Sequence, residues 1–180
     1  MSLFLLLISL VLVVLIPTAY AGYIGAPYAP TRRRAITKAF ELLDIGVGDF
    51  VVDLGAGDGK VLLVANERGA QGLGYELSPI LWAVAFVRLL GKRRLKLLWR
   101  NFFKATLPEE TTHVFMFLMP EHMGQLHVFL TKQHLPQLKF VLSYSFPIPD
   151  VPALQVVQTD RAGRIFVYSA GDFAEIPGGS

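Results

Sequence analysis

The chain contains no cysteine, so disulfides, thiolate metal sites and cysteine nucleophiles are all excluded. Charge is scarce as well. Asp, Glu, Lys and Arg make up 17% of the 180 residues, and residues 1–31 carry none of them. The only histidines are His113, His122, His127 and His134, and their spacing forms no compact metal-ligand pattern, so they read as ordinary surface or partly buried residues. A glycine is missing too. Gly55-Ala56-Gly57-Asp58-Gly59 begins like a dinucleotide turn, but Lys60 stands where G-x-G-x-x-G requires its last glycine. Asp53, two residues before the turn, puts a carboxylate where a pyrophosphate would be repelled. A ligand carrying positive charge suits it.

What is present is a nucleotide cradle. An apolar run from Phe50 to Leu54 reads as a buried strand that enters the glycine turn, and the turn opens a helix whose free N–H groups can face a polar ligand. Gly55 and Gly57 allow the sharp turn and a close approach to the backbone, and Gly59 allows tight packing where the helix begins. A second strand over 72–75 ends at Glu76, which stands where a ribose would lie.

With Asp53-Leu-Gly-Ala-Gly-Asp-Gly59 the chain resembles the class I, seven-β-strand S-adenosylmethionine-dependent methyltransferases, whose first motif has the form acid-x-G-x-G-x-G. The fold this implies is α/β: a Rossmann-like seven-stranded methyltransferase sandwich, mostly parallel and ending in an antiparallel hairpin. The implied cofactor is S-adenosylmethionine. Its methionine part would be held by Asp53 and by Gly55, Ala56, Gly57, Asp58 and Gly59, with Thr31 reaching it from the lid described below. The resemblance gives Glu76 the two ribose hydroxyls, since one carboxylate accepts two hydrogen bonds, with Leu77 beside it. Asn101 and Phe102 would lie at the adenine. Many members carry Asp where this chain has Asn101, and an Asn carbonyl can still accept from the adenine amino group. Methylation at carbon 5 of a pyrimidine usually needs the cysteine this chain lacks. Met119-Pro120-Glu121-His122 stands where amino-group methylases of nucleic acids show [N/D/S]-P-P-[Y/F], which argues against nucleic-acid substrates.

A narrower resemblance rests on the segment from Gly25 to Thr31, on Phe117-Leu118-Met119-Pro120 and on Ser143-Tyr144-Ser145-Phe146. Together with the first motif these resemble a group of small protein-lysine methyltransferases that includes the enzymes acting on the ATP synthase c subunit and on the adenine nucleotide translocase. Ala29 stands where relatives often have Val. The implied reaction is methyl transfer to a protein lysine, with a membrane-embedded protein as the favoured target. Methylation of a lipid, quinone or other small membrane molecule is the rival reading, and a non-catalytic membrane scaffold is a second. Tyr28, Leu118 and Pro120 are the substrate-slot candidates, with Phe117, Met119, Phe146 and Pro147 able to line the same slot. No residue stands out as a general base.

The chain divides into 1–24, 25–45 and 46–175. The first segment reads as one transmembrane helix, because about 19 apolar residues match the hydrocarbon thickness of a bilayer. Ala19-Tyr20-Ala21 has the form of a signal-peptide cleavage site, but no basic residue precedes the apolar run. Arg32, Arg33 and Arg34 follow it, which predicts a single-pass membrane protein with its catalytic domain on the cytoplasmic side. These arginines and the run from Lys92 to Lys96 could touch anionic headgroups. The basic run also suits an RNA-facing patch or a solvated helix end. The second segment is a proline-rich linker or a lid, followed by a helix over 32–43 for which Thr31 is the expected N-cap. The third segment is the methyltransferase domain. Its expected helices cover 59–68, 79–90 and 121–132; its later strands cover 95–99, 114–118, 140–145, 154–158 and 164–169, with no helix between the fifth and sixth strands.

Overall fold

A computed structural model describes residues 3–24, 31–158 and 163–173. The sheet follows directly from the apolar runs. β1 (Phe50–Leu54), β2 (Gln71–Glu76), β3 (Leu95–Trp99), β4 (His113–Met116), β5 (Phe140–Tyr144), β6 (Gln155–Gln158) and β7 (Arg164–Ser169) form one seven-stranded sheet in the order β3-β2-β1-β4-β5-β7-β6. β1 pairs in parallel with both β2 and β4, and β3 and β5 continue the parallel set outward. β7 inserts antiparallel between β5 and β6, which makes the expected terminal hairpin. Residues 145–154, which join β5 to β6, contain no helix, as expected. Residues 159–162, between β6 and β7, lie outside the described residues.

Strand alternation sends side chains to two different layers. Val51, Phe115 and Leu142 meet α2 (Arg33–Leu42) and α3 (Lys60–Glu67), whose Ile36, Phe40, Val61 and Val64 are buried there. Val52, Leu54, Val114 and Met116 face the other way, onto Met123, Leu126 and Leu130 of α5 (Pro120–Thr131). α4 (Pro79–Leu89) lies on the α3 side, where Leu89 packs with Leu62 beside Leu95 and Leu97 of the edge strand β3. Each parallel crossover thus covers one face of the sheet and returns the chain to the same end, so five carboxyl ends line one rim.

Two expectations are corrected. Thr31 is not the N-cap of α2. Arg32 holds that place in extended conformation, without a side-chain cap, and its carbonyl opens the helix by accepting from Ala35 at 2.9 Å. The single-pass membrane reading of residues 1–24 is also overturned, and with it the orientation drawn from Arg32–Arg34. Among the described residues, no helix is long and apolar enough to cross a membrane. α1 (Leu3–Ile24) is helical, but Pro17, Thr18 and Gly22 interrupt the end of its sequence. α1 lies against α4.

Candidate active site

The rim is organised around three carboxylates. β1 carries Asp53 and β2 carries Glu76, and both strands reach the same end because their register is parallel, Leu54 opposite Tyr75. Immediately after β1 the chain folds back. The Tyr75 carbonyl accepts from Gly55 N at 3.0 Å and from Ala56 N at 2.8 Å, and the Ala56 carbonyl accepts from Gly59 N at 2.8 Å. Gly55 sits at φ 96°, where an L side chain is strained, and no atom lies within 4 Å of where its Cβ would be, so the space above the turn is open. Gly59 serves packing instead. A Cβ there would stand 3.3 Å from Ala85 Cβ of α4.

Glu76 is buried, and each carboxylate oxygen accepts one backbone N–H: Oε2 from Gly57 at 2.7 Å and Oε1 from Ser78 at 2.7 Å. Burial raises its pKa, and the N–H groups of Ser78 and Gly57 pull against that rise. Each oxygen keeps a second lone pair for a ligand hydroxyl. Asp58 is buried as well but is neutralised. Burial pushes its pKa up, and the hydrogen bonds and charges of Lys60, at 2.9 Å, and Arg88, at 2.5 Å, outweigh this and hold it below the usual carboxylate range.

Asp53 is the exception. It is 2% exposed, and among the described residues its Oδ2 has no hydrogen-bond partner. Burial, then the charges of Glu76 and Asp58, push its pKa well above the ordinary value. A buried carboxylate left without a partner costs free energy, so the site is short of a cation or donor. The described residues contain no cluster able to hold a metal ion.

The other predicted residues spread along the rim and into the core. The Arg100 N–H donates to the Glu76 carbonyl at 3.1 Å, which sets Asn101 next to the acid-bearing end of β2. The Asn101 Oδ1 already accepts from Phe103 N at 3.0 Å and caps a short 3-10 helix over Phe102–Lys104. Phe102 is buried among Phe103 and Phe129 on the α5 side. Leu77 is half-buried, and its carbonyl accepts from the Trp99 indole at 2.9 Å. Leu118 is 2% exposed within the α5-side core, whereas Pro120 is exposed at the first position of α5. Thr31 is half-buried just ahead of α2. Tyr28 lies outside the described residues.

Alternation separates the slot candidates. Asp53 follows the parity of Val51, and Phe117 that of Phe115, so both face the α3 layer, and Leu118 faces the opposite one. Phe117 meets Tyr144 edge-on at 5.1 Å and stacks with Phe146 at 6.2 Å. Ser145 between those two rings holds φ 70°, and the Phe146 carbonyl accepts from Ser143 Oγ at 2.6 Å. Two contributors were not singled out from sequence: Ser78 and Arg88. Ser78-Pro79 carried a legible signal, since Ser at N-cap and Pro at N1 open α4. Nothing in the sequence ties Arg88 to Asp58.

Residues 53–155 match the family described as the ANTKMT methyltransferase domain. Over 62 residues the chain is 37% identical to the Xenopus laevis lysine N-methyltransferase named for the c subunit of ATP synthase, a stretch that is 34% of this chain and 26% of that protein. Over 97 residues it is 32% identical to a protein-lysine N-methyltransferase of Saccharolobus islandicus (strain REY15A), covering 51% of this chain and 60% of the relative. The chain thus spans between about a quarter and three fifths of the length of these two relatives. Among solved structures, an RNA methyltransferase from Salinibacter ruber in complex with S-adenosyl-L-homocysteine superposes with TM-score 0.72 at 24% identity, over 84% of this chain and 98% of that one. A SAM-dependent methyltransferase from Aquifex aeolicus superposes with TM-score 0.61 at 15% identity, over 77% and 92% respectively. At these identities the superpositions establish the fold alone.

Proposed function

The chain belongs to the family of the ANTKMT methyltransferase domain, and on that premise we propose that it transfers a methyl group from S-adenosylmethionine to a lysine side chain of a protein. The observation that carries the proposal is Asp53, a buried carboxylate with an unpartnered oxygen beneath an open glycine turn. The cofactor carries two positive charges, on its amino group and its sulfur, and so suits a pocket short of a cation. Glu76 has lone pairs free for both ribose hydroxyls, and Asn101 can accept once more at the adenine edge. The residues fit the cofactor. When bound, S-adenosylmethionine supplies a methyl group on a positively charged sulfur, and the remaining work of the chain is alignment.

The incoming amine must be neutral to act as a nucleophile. Phe117 and Tyr144 offer an apolar wall on the same sheet face as Asp53, with Phe146 stacked on Phe117, and desolvation against it disfavours the ammonium form. Tyr28, Leu118 and Pro120 are kept as further candidates for the slot, with Thr31 and Leu77 at the cofactor. Among the described residues none stands out at the rim as a general base, so the lysine proton leaves to solvent.

A protein target is supported by the names of the relatives, and a membrane-embedded target by the outer face of the domain. Residues 77–108 include Arg88, Lys92, Arg93, Arg94, Lys96, Arg100 and Lys104 without one acidic residue. Exposed Val84, Phe86 and Val87 lie on α4, exposed Leu90 caps its end, and exposed Leu98 and Trp99 lie on β3. Leu89, Leu90, Lys92 and Leu95 border a cavity of about 250 Å³ on this face. An apolar surface edged with cations suits a partner held at an anionic bilayer.

The test is label transfer from tritiated S-adenosylmethionine into membranes of a strain lacking the gene, comparing the wild-type chain with Glu76→Ala. Label in a protease-sensitive band that requires the wild type supports the proposal. Label in the organic extract would favour a lipid or quinone substrate instead. No label in either, despite measured cofactor binding, would leave a soluble or RNA substrate, or a scaffold.

A further inference from the structure

We infer that Arg88 is a positioning residue for the cofactor turn, acting from α4 through Asp58; this rests on the methyltransferase reading above. Asp58 lies between Gly57, whose N–H holds Glu76, and Gly59, which opens α3. Two cations reach its carboxylate, and they are not equivalent. Lys60 belongs to the first turn of α3 and pairs with a near neighbour in sequence, so it moves with the loop it would have to hold. Arg88 comes from a separate element thirty positions on. Its Nη1 donates to the Asp58 carboxylate at 2.5 Å and also to the Asp58 backbone carbonyl at 3.2 Å.

A contact to the carbonyl fixes the main chain of the turn as well as its side chain. The same helix braces the turn apolarly, because a Cβ on Gly59 would meet Ala85 Cβ at 3.3 Å and Leu89 Cδ2 at 3.6 Å. Ala85, Arg88 and Leu89 of α4 therefore brace the turn from one helix. Arg88 touches neither Asp53 nor Glu76, so its influence on a ligand passes through the shape of the turn. Neutralising Asp58 also leaves Asp53 and Glu76 as the carboxylates that face the cofactor without a cation.

The test is calorimetric binding of S-adenosylmethionine and S-adenosylhomocysteine to the full chain, with steady-state kinetics on the labelled protein substrate. Arg88→Met should weaken both ligands roughly tenfold, the loss of a charged hydrogen bond. The KM for the cofactor should rise equally, with kcat and the KM for the protein substrate unchanged. Arg88→Lys should recover most of the loss, because one cationic nitrogen can serve both oxygens. In an Asp58→Asn background, Arg88→Met should add little. Because half-exposed Arg88 leaves the core intact, the melting temperature of Arg88→Met should stay near that of the wild type.

Wild-type affinity in Arg88→Met would overturn the inference. So would penalties for Arg88→Met and Asp58→Asn that simply add, or a fall in kcat with no change in cofactor affinity. Failure of the wild-type chain to bind either ligand would instead overturn the methyltransferase reading, and this inference with it.

Discussion

Asp49 and Asp53 lie four positions apart in sequence, at opposite ends of β1, and the fold treats them in opposite ways. Asp49, at the amino end, is fully provided for. Lys139 Nζ lies at 2.8 Å, Gly46 N donates at 3.0 Å, and His113 Nδ1 stands 3.7 Å away. Burial raises the pKa of Asp49, but Lys139, the Gly46 N–H and His113 lower it further than burial raises it. Asp53, at the carboxyl end, is more deeply buried and has an orphaned oxygen, so its pKa rises. A carboxylate satisfied by its own chain is structural, whereas one of equal burial left unsatisfied marks the place where something else binds. Of these two acids, only Asp53 is left with an unpartnered oxygen among the described residues.

The largest expected effect tests the Asp49 end. His113 is 1% exposed, and burial depresses its pKa to about 4, with Asp49 pulling the other way. The unfolded chain therefore binds a proton that the folded chain refuses between pH 6.5 and about 4. Stability is full above that window and should fall by about 3 kcal/mol as pH drops through it. Urea titrations at several pH values should show this slope, and His113→Gln should flatten it. Next, Asp53→Asn should separate binding from folding. Affinity for S-adenosylmethionine should fall by about 2 kcal/mol with the loss of a charged partner, while the ligand-free melting temperature rises, because the cost of burying that charge is gone. A drop in both quantities would make Asp53 structural, like Asp49.

Glu76→Gln comes third. A Gln side chain has one acceptor oxygen, so it cannot receive from both Gly57 and Ser78, and calorimetry should show cofactor binding weakened by about 1.5 kcal/mol. The smallest effect belongs to Asp49→Asn. Lys139 is 56% exposed, so losing its pair costs about 1 kcal/mol of stability at most, with cofactor affinity unchanged. Any change in affinity there would show that the two ends are coupled.

The sheet was legible because each strand announces itself as an apolar run ended by a turn residue, and helices of 3.6-residue period fill the gaps. Expected strand and helix limits agree with the observed ones to within about two residues, which is ordinary fraying of element ends. The start of α2 was misjudged. Thr31 is the better capping side chain, but the helix begins where backbone carbonyls find donors, and that made Arg32 the boundary. The membrane span was misjudged through counting apolar residues without weighing how Pro17, Thr18 and Gly22 shorten the continuous stretch. In the site, Asp53 and Glu76 could be picked out because a glycine turn makes its neighbours conspicuous. Leu118 could not be separated from Phe117 in advance, since adjacent strand residues look equally apolar and differ only in the face they take.

The sequence alone determined the order of elements, the glycine turn and the acids that flank it, because these depend on local periodicity and on conformations that only glycine adopts easily. Tertiary structure decided which acid is satisfied. Lys139 reaches Asp49 from 90 residues away and Arg88 reaches Asp58 from 30, and no local pattern encodes such pairings. They arise when parallel crossovers bring distant segments to the same end of one sheet, and by that same packing Asp53 is buried and left without a partner.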